Sequence, residues 1–180
     1  MNEKLFAGDL ARLRAPERVA RLEVARVVDL CLEGVGPQNV LDVGTGTGLF
    51  AEAFVQRGLA VSGVDTNPAM IEAVQTYVPA GAFRLAPAEA LPYPDSAFDL
   101  VFMGLVLHES DEPLKVLSEV RRVTRNRVGI LEWAYHDESF GPPLAHRVAP
   151  EVLVQWGQQA GFLKVETLPL AHLVLYRLTP

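Results

Sequence analysis

A chain of 180 residues, 49% hydrophobic and 21% charged, carries enough apolar side chain for a folded core and too little charge for a disordered one. Its formal net charge of −6 disfavours polyanionic partners such as nucleic acid or an acidic membrane surface. No apolar run approaches the roughly 18 residues of a membrane span, and with Cys31 as the only cysteine no internal disulfide can form.

Residues 1–15 are mixed in character and are expected to lie partly over the surface. They hold no apolar core of signal-peptide length, so a cytoplasmic location is expected. Pro16 suits a first helical position. Val19, Leu22, Val27, Leu30 and Cys31 then recur near helical spacing, which predicts one helix ended by Gly34, Gly36 and Pro37. The stretch Asn39 to Phe50, NVLDVGTGTGLF, organises the rest. Val40, Leu41 and Val43 predict a strand with one acid inside it, Asp42. Gly44, Gly46 and Gly48 alternate after it, and a helix begins at Leu49. A strand, a glycine-rich turn and a helix in that order open a nucleotide-type site in an α/β sheet. The glycines let the backbone turn sharply or approach a ligand, and the helix start offers unpaired N–H groups. A dinucleotide loop wants G-x-G-x-x-G/A. That register would put Leu49 third and crowd the helix against the strand, which opposes an NAD-linked oxidoreductase.

The helix continues from Phe50 to Arg57, capped by Gly58. Ala60 to Val64 is the second strand and ends in Asp65. This acid stands about twenty residues past the first loop glycine, the offset at which a carboxylate accepts from ribose hydroxyls. The other reading of Asp65 is a plain helix cap. Thr66, Asn67 and Pro68 lead into a helix from Ala69 to Tyr77, with Met70 on its apolar side. Ala82 to Ala86 is a short third strand. Phe98 to Met103, nearly all apolar, is a fourth strand buried on both faces, with Asp99 expected to support its edge or a neighbouring loop. Gly104 to Glu109 follows at the carboxyl end of the sheet, where His108 and Glu109 are the polar pair nearest the mouth. Asp111 to Thr124 predicts an amphipathic helix capped by Asp111. Arg125 to Arg127 reads as a turn, and Val128 to Trp133 as the fifth strand. Arg121, Arg122, Arg125 and Arg127 read as charge at a helix C-terminus.

The loop AYHDESFGPPLAHRVAP, flanked by Trp133, collects Tyr135, His136, Phe140, His146 and Arg147. Aromatics can shelter a reacting centre and a histidine can take a proton, so this loop is expected to face a substrate. His136 and His146 lack a metal-ligand spacing, and no metal is expected. Glu151 to Ala160 is the last helix, ended by Gly161. Phe162 to Leu168 and Ala171 to Arg177, around Pro169, predict an antiparallel hairpin.

The pattern Asp42-x-Gly44-x-Gly46-x-Gly48 resembles the first motif of the class I methyltransferases that use S-adenosylmethionine. The stretch PAEALPYPDSAFDLVFMGLVLHE resembles the type 11 (ubiquinone/menaquinone-biosynthesis-like) members of that class. The resemblance runs from about Pro37 to the end. It implies an α/β fold: a Rossmann-like, doubly wound sheet of seven strands, mostly parallel with an antiparallel C-terminal hairpin strand and helices on both faces. It implies a single domain over 1–180, with 1–36 as an N-terminal helical segment and candidate lid, and 37–180 as the core. S-adenosylmethionine would be the cofactor and S-adenosylhomocysteine its product. Asp42, Gly44, Thr45, Gly46, Gly48, Asp65, Thr66, Met70, Ala88, Glu89, Met103 and Gly104 would hold it. The methyl acceptor would be a small molecule, because the chain is short for a separate substrate domain. His108, Glu109, His136 and His146 are unranked candidates for a base. The sequence departs from the family at two places. Pro87 stands where an Asp would accept from the adenine amine, and Arg125-Asn126-Arg127 replaces a Lys-Pro-Gly-Gly turn. Those departures keep open a non-catalytic nucleoside-binding regulatory or scaffold protein of the same fold.

Overall fold

A computed structural model describes residues 10–180; the reading of residues 1–9 as a surface stretch and part of a candidate lid falls outside them. The described chain opens with α1 (Leu10–Leu13), α2 (Pro16–Arg21) and α3 (Val24–Leu32). The single helix expected from Pro16 is thus two. Glu23 breaks it in the left-handed region, at φ 47°. Its carboxylate accepts from the Ala171 N–H (2.9 Å) and from Arg26 (2.7 Å), which ties the corner to the C-terminal hairpin. Apolar spacing alone runs through that corner unbroken, so the sequence pattern hides it.

Strands and helices then alternate: β1 (Asn39–Val43), α4 (Leu49–Gln56), β2 (Ala60–Asp65), α5 (Pro68–Tyr77), β3 (Ala82–Leu85), β4 (Phe98–Gly104), α6 (Pro113–Val123), β5 (Thr124–Trp133), α7 (Pro150–Gln159), β6 (Lys164–Pro169) and β7 (Leu173–Thr179). The seven strands form one sheet in the order β3-β2-β1-β4-β5-β7-β6. The first five are mutually parallel where they pair, and β7 runs antiparallel between β5 and β6. The order reverses between β1 and β4, which leaves a crevice at their carboxyl ends. On one face Leu41, Val43, Val101 and Met103 pack with α6 and α7. On the other, Val40, Leu100 and Phe102 pack with α3 and α4. Phe102 meets Phe50 and Phe54 with ring centroids 4.6 and 5.5 Å apart. Every residue of β4 up to Met103 is buried, as a strand covered on both faces requires.

Two local expectations fail. Arg125 to Arg127 form no turn: α6 passes directly into β5 at Thr124, whose Oγ1 donates to the Val120 carbonyl (2.6 Å). Asp111 does not cap α6, which starts at Pro113 behind Glu112 without a side-chain cap. Of the arginine cluster, Arg121 and Arg122 stand in the last turn of α6 as expected, whereas Arg125 and Arg127 lie in β5, and each makes a separate internal tie. Arg121 donates to the Gly161 carbonyl, Arg122 pairs with Glu119 and Asp95, Arg125 pairs with Asp99, and Arg127 donates to the carbonyls of Cys31 and Glu33. Asp99 also accepts from the Gln38 N–H (2.9 Å), so it does support the strand edge. No helix among the described residues is long and apolar enough to cross a membrane.

Candidate active site

The carboxyl ends of β1, β2 and β4 open on a cavity of about 1080 Å³. Its floor is the glycine loop. Gly44 and Thr45 donate their N–H groups to the Val64 carbonyl at the end of β2 (2.8 and 2.9 Å), which binds the loop to the neighbouring strand. The three glycines do different work. A Cβ at Gly44 would stand 2.2 Å from Val106, and one at Gly48 would stand 2.5 Å from Val74, so both serve close packing. A Cβ at Gly46 would meet no atom within 4 Å, and Gly46 lies on the cavity wall. All three have positive φ.

Two acids flank this loop. Asp42, 3% exposed, accepts from the Thr45 hydroxyl (2.8 Å). Burial pushes its carboxyl up to about 7, and the nearby charge of Asp65 adds to the push. Asp65 is half-buried and uses both oxygens: Oδ2 accepts from the Gly46 N–H and Oδ1 from the Asn67 N–H, both at 2.9 Å. Capping of α5 falls to Asn67, whose side chain accepts from the Ala69 N–H (3.0 Å). Each Asp65 oxygen therefore keeps acceptor capacity. Thr66 and Met70 continue this wall, and Ala88 and Glu89 contribute from the segment after β3. Glu89 accepts from the Ser110 hydroxyl (3.1 Å). Pro87 is exposed and off the wall. Gly104 lines the cavity, whereas Gly48 does not, and Met103 is wholly buried in the core beneath it.

Beyond β4 a short 3₁₀ turn, Leu107–Glu109, presents His108 and Glu109 to the cavity. His108 is gripped twice by Glu132: its backbone N–H donates to Oε1 (3.2 Å), and its ring Nδ1 lies 2.8 Å from Oε2. Glu132 is 1% exposed and comes from β5, next to β4 in the sheet. A buried carboxylate on Nδ1 favours the proton there, which makes Nε2 the acceptor nitrogen whenever the ring is neutral. Nε2 is 4.0 Å from Glu109 Oε1. Burial pushes the Glu109 carboxyl up to about 7; Glu132 and Asp65 add to the push and His108 opposes it.

Further walls are Leu13, Arg18 and Arg21 from the N-terminal helices, Ser110, Asp111 and Glu112 ahead of α6, and Trp133, Gly141, Pro142 and His146 from the region after β5. One buried side chain shapes the loop after β5. Arg147 donates to the carbonyls of Ala134, His136, Phe140 and Pro142 at 2.7–2.9 Å. His136 lies off the cavity: its ring is exposed, with Nε2 3.4 Å from Glu138. His172, which the sequence reading passed over, takes the same Glu138 at 2.7 Å. Also passed over were Glu132, Arg18 and Arg21. A lone acid in an apolar strand was the signal for Glu132, as it was for Asp42. Among the described residues no group of three or more His, Cys, Asp or Glu side chains is placed to hold a metal ion.

Comparison with known proteins agrees with the fold. A family model described as a methyltransferase domain, of type 11, matches residues 41–130. The chain is 33% identical over 117 residues to a demethylmenaquinone methyltransferase of Renibacterium salmoninarum, covering 65% of this chain and 49% of that one. It is 34% identical over 144 residues to a malonyl-[acyl-carrier protein] O-methyltransferase of Halorhodospira halophila, covering 77% and 44%. It thus spans about half the length of the curated relatives it matches. A crystal structure of a SAM-dependent methyltransferase from Aquifex aeolicus superposes with a TM-score of 0.80 at 22% identity, covering 96% of this chain and 98% of that one.

Proposed function

The chain belongs to the type 11 methyltransferase-domain family, and from that membership we propose that it transfers a methyl group from S-adenosylmethionine to a small-molecule acceptor. The observation that carries this reading is the pairing of Asp65 with Gly46 on the cavity wall: a carboxylate with spare acceptor capacity beside a glycine whose missing Cβ leaves open space. Asp65 fits a vicinal diol. Met70 and Ala88 offer apolar surface to a base, and Glu89 offers the carboxylate that Pro87 does not supply. Asp65 and Glu89 make this end of the cavity suited to a positively charged cofactor. When bound, S-adenosylmethionine supplies a methyl group on a positively charged sulfur. This chain's own residues hold and orient the two partners and exclude water, and orientation alone supplies much of a transfer rate. The cavity, at about 1080 Å³, is slightly above the ~300–1,000 Å³ of single-ligand pockets, which leaves room for a small acceptor beside the cofactor.

An O–H or N–H acceptor must also lose its proton. We assign that role to His108, whose Nε2 is the basic nitrogen once Glu132 holds Nδ1. Glu109 and His146 stand on the same cavity as further acid–base groups. We take the cytoplasm as the location, which the lone, buried Cys31 fits. The test is calorimetric titration with S-adenosylmethionine, S-adenosylhomocysteine and NADH, followed by turnover against a panel of small acceptors. Binding of the first two but not the third, with turnover on some acceptor, is expected. Binding without turnover across the panel would favour the non-catalytic nucleoside-binding alternative that Pro87 raised. Failure to bind either sulfur nucleoside would sink both.

A further inference from the structure

We propose that Arg18 and Arg21 form an anion site for the methyl acceptor, which is therefore a small acid: an apolar body carrying a carboxylate or phosphate group. The proposal deepens the methyl-transfer reading and rests on it. The two arginines are three residues apart on α2, so they share one face of the helix. Both are half-buried and both line the cavity. Neither forms an ion pair among the described residues. Arg18 donates to the Leu13 carbonyl (3.0 Å), and the Arg21 guanidinium lies 3.8 Å over the ring of Phe140. Arg14, one turn earlier, pairs with Glu52. Burial and the neighbouring charge of Arg21 hold Arg18 below its ordinary value. Two partly desolvated like charges side by side, without a counterion among the described residues, are a condition that a bound anion relieves.

Position separates this pair from the cofactor end. Arg14 donates to the Thr47 carbonyl in the glycine loop (2.9 Å), whereas Arg21 stacks on Phe140 in the loop after β5. The N-terminal helices therefore run from the glycine loop towards the wall built by Trp133, Pro142 and His146. The acids of the cavity come from other elements: Asp42 and Asp65 from β1 and β2, Glu89 from the segment after β3, and Glu109, Asp111 and Glu112 from the segment between β4 and α6. The contact with Phe140 holds the Arg21 guanidinium at this wall, and a planar fork matches a carboxylate or phosphate in two parallel hydrogen bonds. Leu13, Trp133 and Pro142 supply the apolar surface for the rest of the molecule.

The test uses protein saturated with S-adenosylhomocysteine and titrated calorimetrically with benzoate, inorganic phosphate and uncharged benzyl alcohol. Wild type is compared with Arg18→Gln, Arg21→Gln and Arg21→Lys, each checked for fold by circular dichroism. Benzoate or phosphate is expected to bind better than benzyl alcohol, and less well as salt is added. The Gln variants should lose at least about tenfold of that affinity, and Arg21→Lys less, with S-adenosylhomocysteine affinity changed less than about twofold. Equal binding of benzoate and benzyl alcohol would overturn the proposal. So would a loss of about tenfold in S-adenosylhomocysteine affinity that spares 5′-methylthioadenosine, because the pair would then hold the cofactor's own carboxylate. If wild type does not bind S-adenosylhomocysteine, the methyl-transfer reading fails, and titrating the protein alone with benzoate and phosphate still decides the fate of the arginine pair.

Discussion

Asp65→Asn separates two jobs that one carboxylate performs. In the wild type each oxygen accepts a backbone N–H at 2.9 Å, from Gly46 and from Asn67. Asparagine keeps one acceptor and turns an amide donor towards the other N–H, so one charge-assisted bond is lost. That loss destabilises the protein by about 1–3 kcal/mol. At about 2–4 °C per kcal/mol for a domain of this size, Tm falls by about 2–12 °C. The ribose assignment adds a separate effect. A carboxylate accepts from both hydroxyls of a diol and a carboxamide does so poorly, which removes about 1.5–3 kcal/mol of binding, or roughly 10–100-fold in Kd. Thermal melts without ligand read the first effect, and calorimetry with S-adenosylhomocysteine at a temperature where the variant is folded reads the second. A lower Tm with unchanged nucleoside affinity would refute the reasoning and reduce Asp65 to a tie between β2 and the glycine loop.

The glycine loop gives a paired prediction. Gly46→Ala carries only the strain of a left-handed alanine, about 1–2 kcal/mol, so it folds but loses nucleoside binding. Gly44→Ala adds an overlap with Val106 at 2.2 Å, worth about 1–3 kcal/mol more, and should melt lower; the opposite order of melting temperatures would contradict this division of labour. For Asp42 the ordinary value is 3.8 and the folded value about 7, raised first by burial. Between about pH 4 and 7 the unfolded chain has released this proton while the folded chain keeps it, so the group's stabilising contribution falls as pH rises and is gone above 7. A gap of about three pH units is about 4 kcal/mol. Asp42→Asn, which keeps an acceptor for Thr45, should therefore gain stability relative to wild type between pH 4 and 8 in urea unfolding, and parallel curves would count against it. Arg147→Met strips donors from four carbonyls and the cation 3.6 Å from Glu138, an expected loss of about 3–5 kcal/mol. Amide exchange should rise across residues 134–147, and unchanged exchange there would remove Arg147 as the anchor of the loop.

The sequence by itself determined the sheet and the floor of the site. Alternating glycines after an apolar strand, an acid at the end of the next strand, and an all-apolar β4 are local patterns, and local geometry follows from them. Helix and strand bounds came within a residue or two where periodicity was strong, as in α5 and β2. The breaks came where a side chain overrides periodicity: Glu23 splits the first helix because its carboxylate reaches the hairpin turn 148 residues away. Arg125 to Arg127 look like a turn by composition, yet lie in β5 because each outer arginine finds a partner on another element. The walls of the site were decided only by tertiary structure. Glu132 meets His108 through the pairing of β4 with β5, Arg21 meets Phe140 through the docking of α2, and Arg147 gathers four carbonyls from a folded loop. Periodicity records which side of an element is apolar. It carries no record of which polar group on a distant element that side will face, because strand register and helix docking choose the partner.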